Sequence, residues 1–247
     1  PGERRRYLDV LLAMTDRRYL TALQHYRAAL VRRNATLRRA SRSEPRSDSE
    51  IGVWDSALAE AGAIIRAARA GWLRRYAADV AASCAAMGER ERVTLRYAAK
   101  PEVAADAQSE EAIAAQLLRA LEQDRPRDIR RQLTHAGPHR DDIAIALGGH
   151  AMRIVGSAGQ QRTVAIALRL AARATLTDAS GRMPIMLLDD PFAELDAGRT
   201  ARILELLRNA AGGGMGQFVI AIPKAGELPP ALGGLRRLTI RDGVVAA

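Results

Sequence analysis

Apolar positions recur through the first 90 residues at alternating spacings of three and four, and beyond them they collapse into short runs and strict alternations. Leu8, Leu11 and Leu12 form a short helical stripe, and Thr15-Asp16 then supplies an N-cap for a second helix. Tyr19, Leu23, Tyr26, Leu30, Arg33 and Leu37 follow as a seam that keeps one face of that helix turned towards a partner. Ser41 to Glu50, with Pro45 and four serines, is a polar break. A third helix resumes with Ile51, Trp54, Leu58, Ala61, Ile65, Ala68 and Trp72 at the same spacing. Two seams joined by one loop predict an antiparallel helical hairpin, an arm of roughly 30 Å at ~1.5 Å rise per residue, although two ordinary core-facing helices produce the same periodicity.

After Gly88 the pattern changes. Val93 to Tyr97 reads as a strand, Pro101 to Gln108 as a loop, and Glu110 to Gln123 as a helix through Ile113, Leu117, Leu118 and Leu121. Asp142 to Leu147 alternates as a strand, Gly148-Gly149 turns, and Met152 to Val155 is expected to return as a strand. A helix from about Gln160 to Leu176 precedes the apolar strand Ile185 to Leu188, and a helix from about Gly198 to Asn209 precedes the strand Phe218 to Ile222. Leu235 to Ile240, the turn Asp242-Gly243 and Val244-Val245 complete a terminal hairpin. The reading is a helical arm domain over residues 1–90 and an α/β lobe over 91–247.

Composition narrows the field. At 48% hydrophobic and 27% charged residues, the 247-residue chain has globular usage with ample length for a core. A net charge of +10 favours a polyanionic partner, nucleic acid first, although nearly all of the basic charge is arginine and such a bias also arises from genomic composition. The single cysteine, Cys84, excludes an internal disulfide and a cysteine-based zinc site, and its alanine-rich helical surroundings make it a small core residue. No run approaches the ~18 apolar residues of a membrane span, and no secretory signal precedes the first helix, so a cytoplasmic location is expected. The absence of an initiator Met reads as a chain that begins inside a longer protein.

Candidate chemistry sits in three places. The apolar strand Ile185 to Leu188 ends in Asp189-Asp190, at the carboxyl edge where α/β sheets hold ligands. Two adjacent acids are costly unless a cation or a hydrogen-bond network accepts them. In phosphoryl-transfer ATPases such a pair is Walker B, where the first Asp holds Mg²⁺ through water and the second orients the attacking water; a capped strand end is the plainer alternative. Gly156-Ser157-Ala158-Gly159-Gln160 opens a long helix whose free N–H groups and dipole can receive a phosphate, although many helix starts carry Ser and Gly. Ala193-Glu194-Leu195-Asp196 follows as an acidic helix start. His139-Arg140-Asp141 has neither the Asn nor the Asp-Phe-Gly of a kinase.

In this order, a Ser-x-Gly-Gln helix start, an acid-tipped strand and a Glu-Leu-Asp segment resemble the ABC-type ATPases, among them the SMC and Rad50 proteins. Gly137-Pro138-His139-Arg140-Asp141-Asp142 leading into that helix start, with Glu3 to Asp9, Tyr26 to Leu30 and Arg32-Arg33-Asn34 upstream, is similar to the RecF family across nearly the whole chain. The resemblance implies a Rad50-like head of P-loop fold, a helical arm, and ATP-dependent homodimerisation on single-stranded, double-stranded and gapped DNA. It implies that Ser157, Gly159 and Gln160 meet the γ-phosphate of the partner's ATP. Asp189 then serves Mg²⁺, Asp190 is catalytic, and Glu194 and Asp196 lie at the dimer seam. Family partners are RecO and RecR in assisting RecA loading.

The chain departs from that pattern by carrying no Gly-x-x-x-x-Gly-Lys-Ser/Thr: Lys100 precedes Pro101 and Lys224 follows Pro223. The expectation is a C-terminal part whose Walker A lobe lies upstream, inactive as an ATPase alone. The alternatives are a nucleotide-independent DNA- or protein-binding adaptor and an SMC-like protein such as RecN, which needs a longer coiled coil. Pro223 stands where relatives place a γ-phosphate sensor, and Asp190 is shorter than Glu; both point to slow hydrolysis. Arg32, Arg33, Arg38 and Arg39 on the arm are candidate phosphate contacts, against the alternative of a solvated helix face.

Overall fold

A computed structural model describes residues 2–42, 47–102, 109–192, 195–210, 217–223, 236–241 and 244–246. Three helices open the chain: α1 (Gly2–Thr15), α2 (Arg17–Ala40) and α3 (Ser47–Ala86). Asp16 caps α2 by accepting hydrogen bonds from the backbone N–H groups of Arg18 and Tyr19, as the Thr15-Asp16 signal requires. The seam of α2 buries Tyr19, Leu23, Tyr26 and Leu37 against α3, which buries Ile51, Leu58, Ala61, Ile65 and Trp72. Helix α3 starts at Ser47, within the predicted polar break. At 40 residues it spans about 60 Å, long enough to serve two neighbourhoods.

Its first half packs Ala59 and Ala63 on Ile113 and Leu117 of α4 (Glu110–Arg131). Its second half meets α6 (Ala158–Ser180), where the Trp72 indole N–H donates to Thr175 and the Tyr76 hydroxyl to Asp178. Strand β1 (Val93–Ala98) pairs antiparallel with β2 (Asp142–Leu147), which pairs briefly with β3 (His150–Ala151). Met152–Val155 is not the expected strand. It is one helical turn, α5, closed by the Gly156 N–H on the Met152 carbonyl, which lets Met152 enter the core while Ile154 and Val155 stay exposed. Strands β4 (Met186–Asp189) and β5 (Phe218–Ala221) run parallel on either side of helix α7 (Ala197–Ala210), a βαβ unit. β6 (Thr239–Arg241) and β7 (Val244–Ala246) form the terminal hairpin, whose Asp242-Gly243 turn lies outside the described residues. The mixed α/β class follows, with one core cluster running from Leu8 to Leu207. Residue 90 is thus a change in secondary structure within continuous packing. Among the described residues no helix is long and apolar enough to cross a membrane.

That core is threaded by charge. Arg33, on the α2 seam, is fully buried: its Nε donates to Asp55 at 2.6 Å, and Nη1 donates to Asp128 at 2.6 Å and to Thr134 at 2.9 Å. Arg33 therefore has no surface to offer a DNA phosphate, and its place in the candidate phosphate-contact set is corrected. Helix α4 runs on past the predicted end at Gln123 and through Pro126, carrying Asp128 inward to Arg33. On α3, Arg66 grips Asp141 with two bonds of 2.9 Å, and Asp141 also receives the Tyr97 hydroxyl and the Lys100 N–H. Arg69 reaches Asp9 of α1 and the carbonyl of Pro138. Gly137 has φ +128°, and a Cβ there would fall 2.3 Å from the Tyr26 hydroxyl, so the motif cannot carry a side chain at this point. The Tyr26 hydroxyl donates to His139 Nδ1 at 2.6 Å while Nε2 faces the Thr134 carbonyl at 3.1 Å, which fixes a neutral ring protonated on Nε2. Burial, with Arg140 and Arg5 nearby, depresses the pKa of His139 to about 4.

Arg33→Ala leaves Asp55 and Asp128 facing each other without their shared cation, and should cost about 3–5 kcal/mol in reversible denaturation. For His139 the unfolded chain takes up a proton near pH 6.5 and the folded chain only near 4, so acid favours unfolding across that window. Stability should fall as pH drops from 6.5 to 4, and the slope should flatten in His139→Gln, as measured by denaturant midpoints at each pH.

Candidate functional site

The chain leaves β4 through Asp189 and Asp190. The Asp190 backbone adopts φ +43°, a left-handed conformation that aspartate tolerates better than most residues and that reverses the chain towards buried Pro191. Its N–H donates to the Ala221 carbonyl at the end of β5, locking the strand tip to its neighbour. Asp189 is exposed, and its carboxylate has no partner among the described residues. No group of three or more His, Cys, Asp or Glu able to hold a metal exists among the described residues. One free carboxylate at a strand tip does fit Mg²⁺, which keeps several waters and takes one or two protein carboxylates besides phosphate oxygens.

Ser157 opens α6 with a capping box. Its Oγ accepts the Gln160 N–H at 3.2 Å, and the Gln160 side-chain oxygen accepts the Ser157 N–H at 2.9 Å. The N–H groups of Ala158 and Gly159 precede the first intrahelical bond and remain as donors at the positive end of a 23-residue helix. The Gln160 amide turns back to Glu89, so this side chain braces the helix start from behind. Ser157 is exposed, whereas Gly159 and Gln160 are half-buried.

Residues without a role in the sequence reading tie these pieces together. Arg162, one turn into α6, donates from Nη1 to the Asp190 carbonyl, so the helix start and the acid-bearing tip share a rigid link. Arg199, in the first turn of α7, donates to Thr163 at 3.3 Å and lies 3.8 Å from the buried Glu89 carboxylate. Asp196 caps α7 by accepting the Arg199 N–H at 2.8 Å, a bond that holds its carboxyl below the usual carboxylate range. The Arg202 guanidinium covers Gly88, where a Cβ would fall 2.4 Å from Nη2. Arg162 lies two residues past the glycine-rich helix start and has no role in the sequence reading; Glu89, Arg199 and Arg202 carry no spacing signal at all. Ser157, Gly159, Gln160, Asp189, Asp190 and Asp196 therefore belong to three element ends joined by arginines, and Glu194 lies outside the described residues. Pro223, just past β5, is exposed and brings no side-chain donor.

Away from this end, Arg32 is exposed and stacks over Trp54 at 5.2 Å. Arg39 pairs with Glu50, and Arg38 is exposed, with no side-chain partner among the described residues.

Residues 142–209, which carry the helix start, the acid pair and α7, match the SbcC/RAD50-like Walker B family. The whole chain is 35% identical over 254 residues to the DNA replication and repair protein RecF of Chloroflexus aurantiacus, covering 63% of that protein. It is 36% identical over 260 residues to RecF of Frankia alni, covering 66% of it. Among solved structures, 99% of the chain superposes on 62% of the recombination mediator protein RecF-ATPrS in the RecFOR pathway, with a TM-score of 0.81 and 28% identity. The RecF-ATP structure gives the same TM-score at 26% identity. The chain spans just under two thirds of the length of these relatives. The chain is thus similar to RecF proteins along its full length, in its fold and in its Walker B region.

Proposed function

We propose that this chain supplies the arm and the second half of a nucleotide sandwich in a RecF-like, ATP-dependent DNA-binding protein of recombinational gap repair and replication-fork maintenance. The observation that carries the reading is the link between α6 and the tip of β4. Arg162 fixes the distance between donors that suit a phosphate and an acid that suits Mg²⁺, while bonding to a carbonyl and so leaving both carboxylates unspent. When bound, MgATP supplies the γ-phosphoryl group and the charge that these groups answer. Asp189 then holds the metal through water and Asp190 orients the attacking water. Ser157, Gly159 and the α6 dipole face the γ-phosphate of a partner subunit's nucleotide, with Gln160 holding Ser157 in place, so ATP stabilises the dimer by mass action. Glu194 and Asp196 lie at that seam.

The Walker A cradle comes from a lobe outside these 247 residues, which Ile185, Leu187 and Val219, exposed on one side of the β4–β5 sheet, are suited to receive. Arg32, Arg38 and Arg39 offer sequence-independent phosphate contacts to single-stranded, double-stranded or gapped DNA. RecO and RecR are the partners that the family reading brings, in assisting RecA loading.

The 247-residue chain alone should show no ATP turnover. In a protein extended to include a Walker A lobe, turnover should be slow and Mg²⁺-dependent, and Asp189→Ala should lower it by at least about a hundredfold in a phosphate-release assay. Turnover by the unextended chain that Asp189→Ala abolishes would show the site to be misplaced. Ser157→Arg in the extended protein should prevent ATP-driven dimers in sedimentation while leaving nucleotide binding intact; normal dimers would remove the sandwich.

A further inference from the structure

Helices α1 and α4 and the segments flanking β1 and β2 border an open pocket of about 580 Å³. That volume lies within the ~300–1,000 Å³ of small-ligand sites. Its wall is cationic. Arg5, Lys100, Arg127 and Arg140 line it against a single carboxylate, Asp124. These cations are not consumed by ion pairs: the described residues provide no side-chain partner for Lys100 or Arg127. Arg5 and Arg140 spend only part of their donor sets, on the carbonyls of Asp141 and Thr134. Bonds to carbonyls orient a guanidinium without neutralising it, so the positive charge stays available to the cavity.

Two histidines complete the wall, and they differ. His139 is committed on both ring nitrogens, to Tyr26 and to Thr134. His135 Nδ1 bonds Asp128 at 2.6 Å, and Asp128 is itself held by Arg33, so the ring is fixed from behind by a buried carboxylate. That leaves Nε2 without a partner among the described residues.

We infer that this pocket binds a phosphomonoester, either a free nucleotide or the phosphorylated end of a nucleic acid. A dianionic terminal phosphate offers three oxygens to converging guanidinium forks and an ammonium, which suits it better than the single charge of a backbone diester. The site draws on none of Ser157, Asp189 or Asp190, so its test is independent of the ATPase reading.

The 247-residue chain is titrated by calorimetry with two pairs of probes: adenosine 5′-monophosphate against adenosine, and a 5′-phosphorylated single-stranded oligonucleotide against its 5′-hydroxyl twin. In at least one pair the phosphorylated member should bind about tenfold tighter or more. Preference confined to the first pair identifies a nucleotide as the source, and preference confined to the second identifies a nucleic-acid end. Lys100→Glu with Arg127→Glu should erase the preference, whereas Arg90→Glu, at the opposite end of β1, should keep it. The neutral pair Lys100→Gln and Arg127→Gln should weaken it several-fold, and decides the matter should charge reversal perturb the thermal melt. Equal binding within both pairs, a preference that survives in the double variants, or its equal loss in Arg90→Glu overturns the assignment.

Discussion

Buried guanidinium–carboxylate pairs set the position of nearly every element in this structure. Helix α3 runs through the middle of the molecule, and its interior face carries Asp55, Arg66 and Arg69 as well as apolar residues. Each of these has partners distant in sequence: Asp55 on Arg33 of α2, Arg66 on Asp141 at the head of β2, Arg69 on Asp9 of α1. Apolar seams alone tolerate sliding by a heptad, since alanine and leucine surfaces fit one another in several registers. A bidentate pair shielded from water does not, because a shifted register strands a charge at a cost of several kcal/mol. We read these pairs as the devices that fix one register for α1, α2, α4 and the β1–β2 sheet against α3.

The same logic reaches the functional end by a different route. Helix α6 is held along its length by polar contacts to the helical region: Tyr7 on the Leu168 carbonyl, Trp72 on Thr175 and Tyr76 on Asp178. With its body fixed, the N-terminus of α6 is placed by Gln160 on Glu89, and Glu89 sits immediately after the end of α3. The long helix therefore contacts α6 in its middle and governs the helix start through the turn that follows it.

Much of this was legible in the sequence because it rests on local physics. Heptad spacing gave the α2–α3 seams, Asp16 and Ser157 gave helix starts, and an unbroken apolar run ending in two acids gave β4 and its tip. What spacing could not supply was the identity of long-range partners. Arg33 falls on the seam by periodicity, yet its role as a shared cation depends on Asp128, which arrives from α4. Arg66 and Arg69 look like polar surface positions until Asp141 and Asp9 are known to face them. Met152 to Val155 has strand-forming side chains, but pairing with β2 ends at Ala151 opposite Ala146, and the chain closes a turn that buries Met152 instead. The left-handed Asp190 is a consequence of the parallel β4–β5 edge, which no local propensity encodes.

The electrostatics of that edge carry one more step. An unpaired carboxylate at a strand tip and unfilled amide donors at a helix start are complementary charges, and evolution or thermal motion could satisfy each with the other. Among the described residues neither is satisfied: the capping box consumes one donor with the helix's own serine, and Arg162 reaches a carbonyl and not an acid. Held apart by rigid elements, the acid still asks for a cation and the amides for an anion. In the proposed sandwich the acid faces the metal of one nucleotide and the amides face the γ-phosphate of the partner subunit's, so the two demands of one chain are met by two MgATP molecules. Neither ligand on one chain answers both, so under that proposal the doubly loaded dimer, and not a single nucleotide on a lone chain, is the state that the arrangement favours.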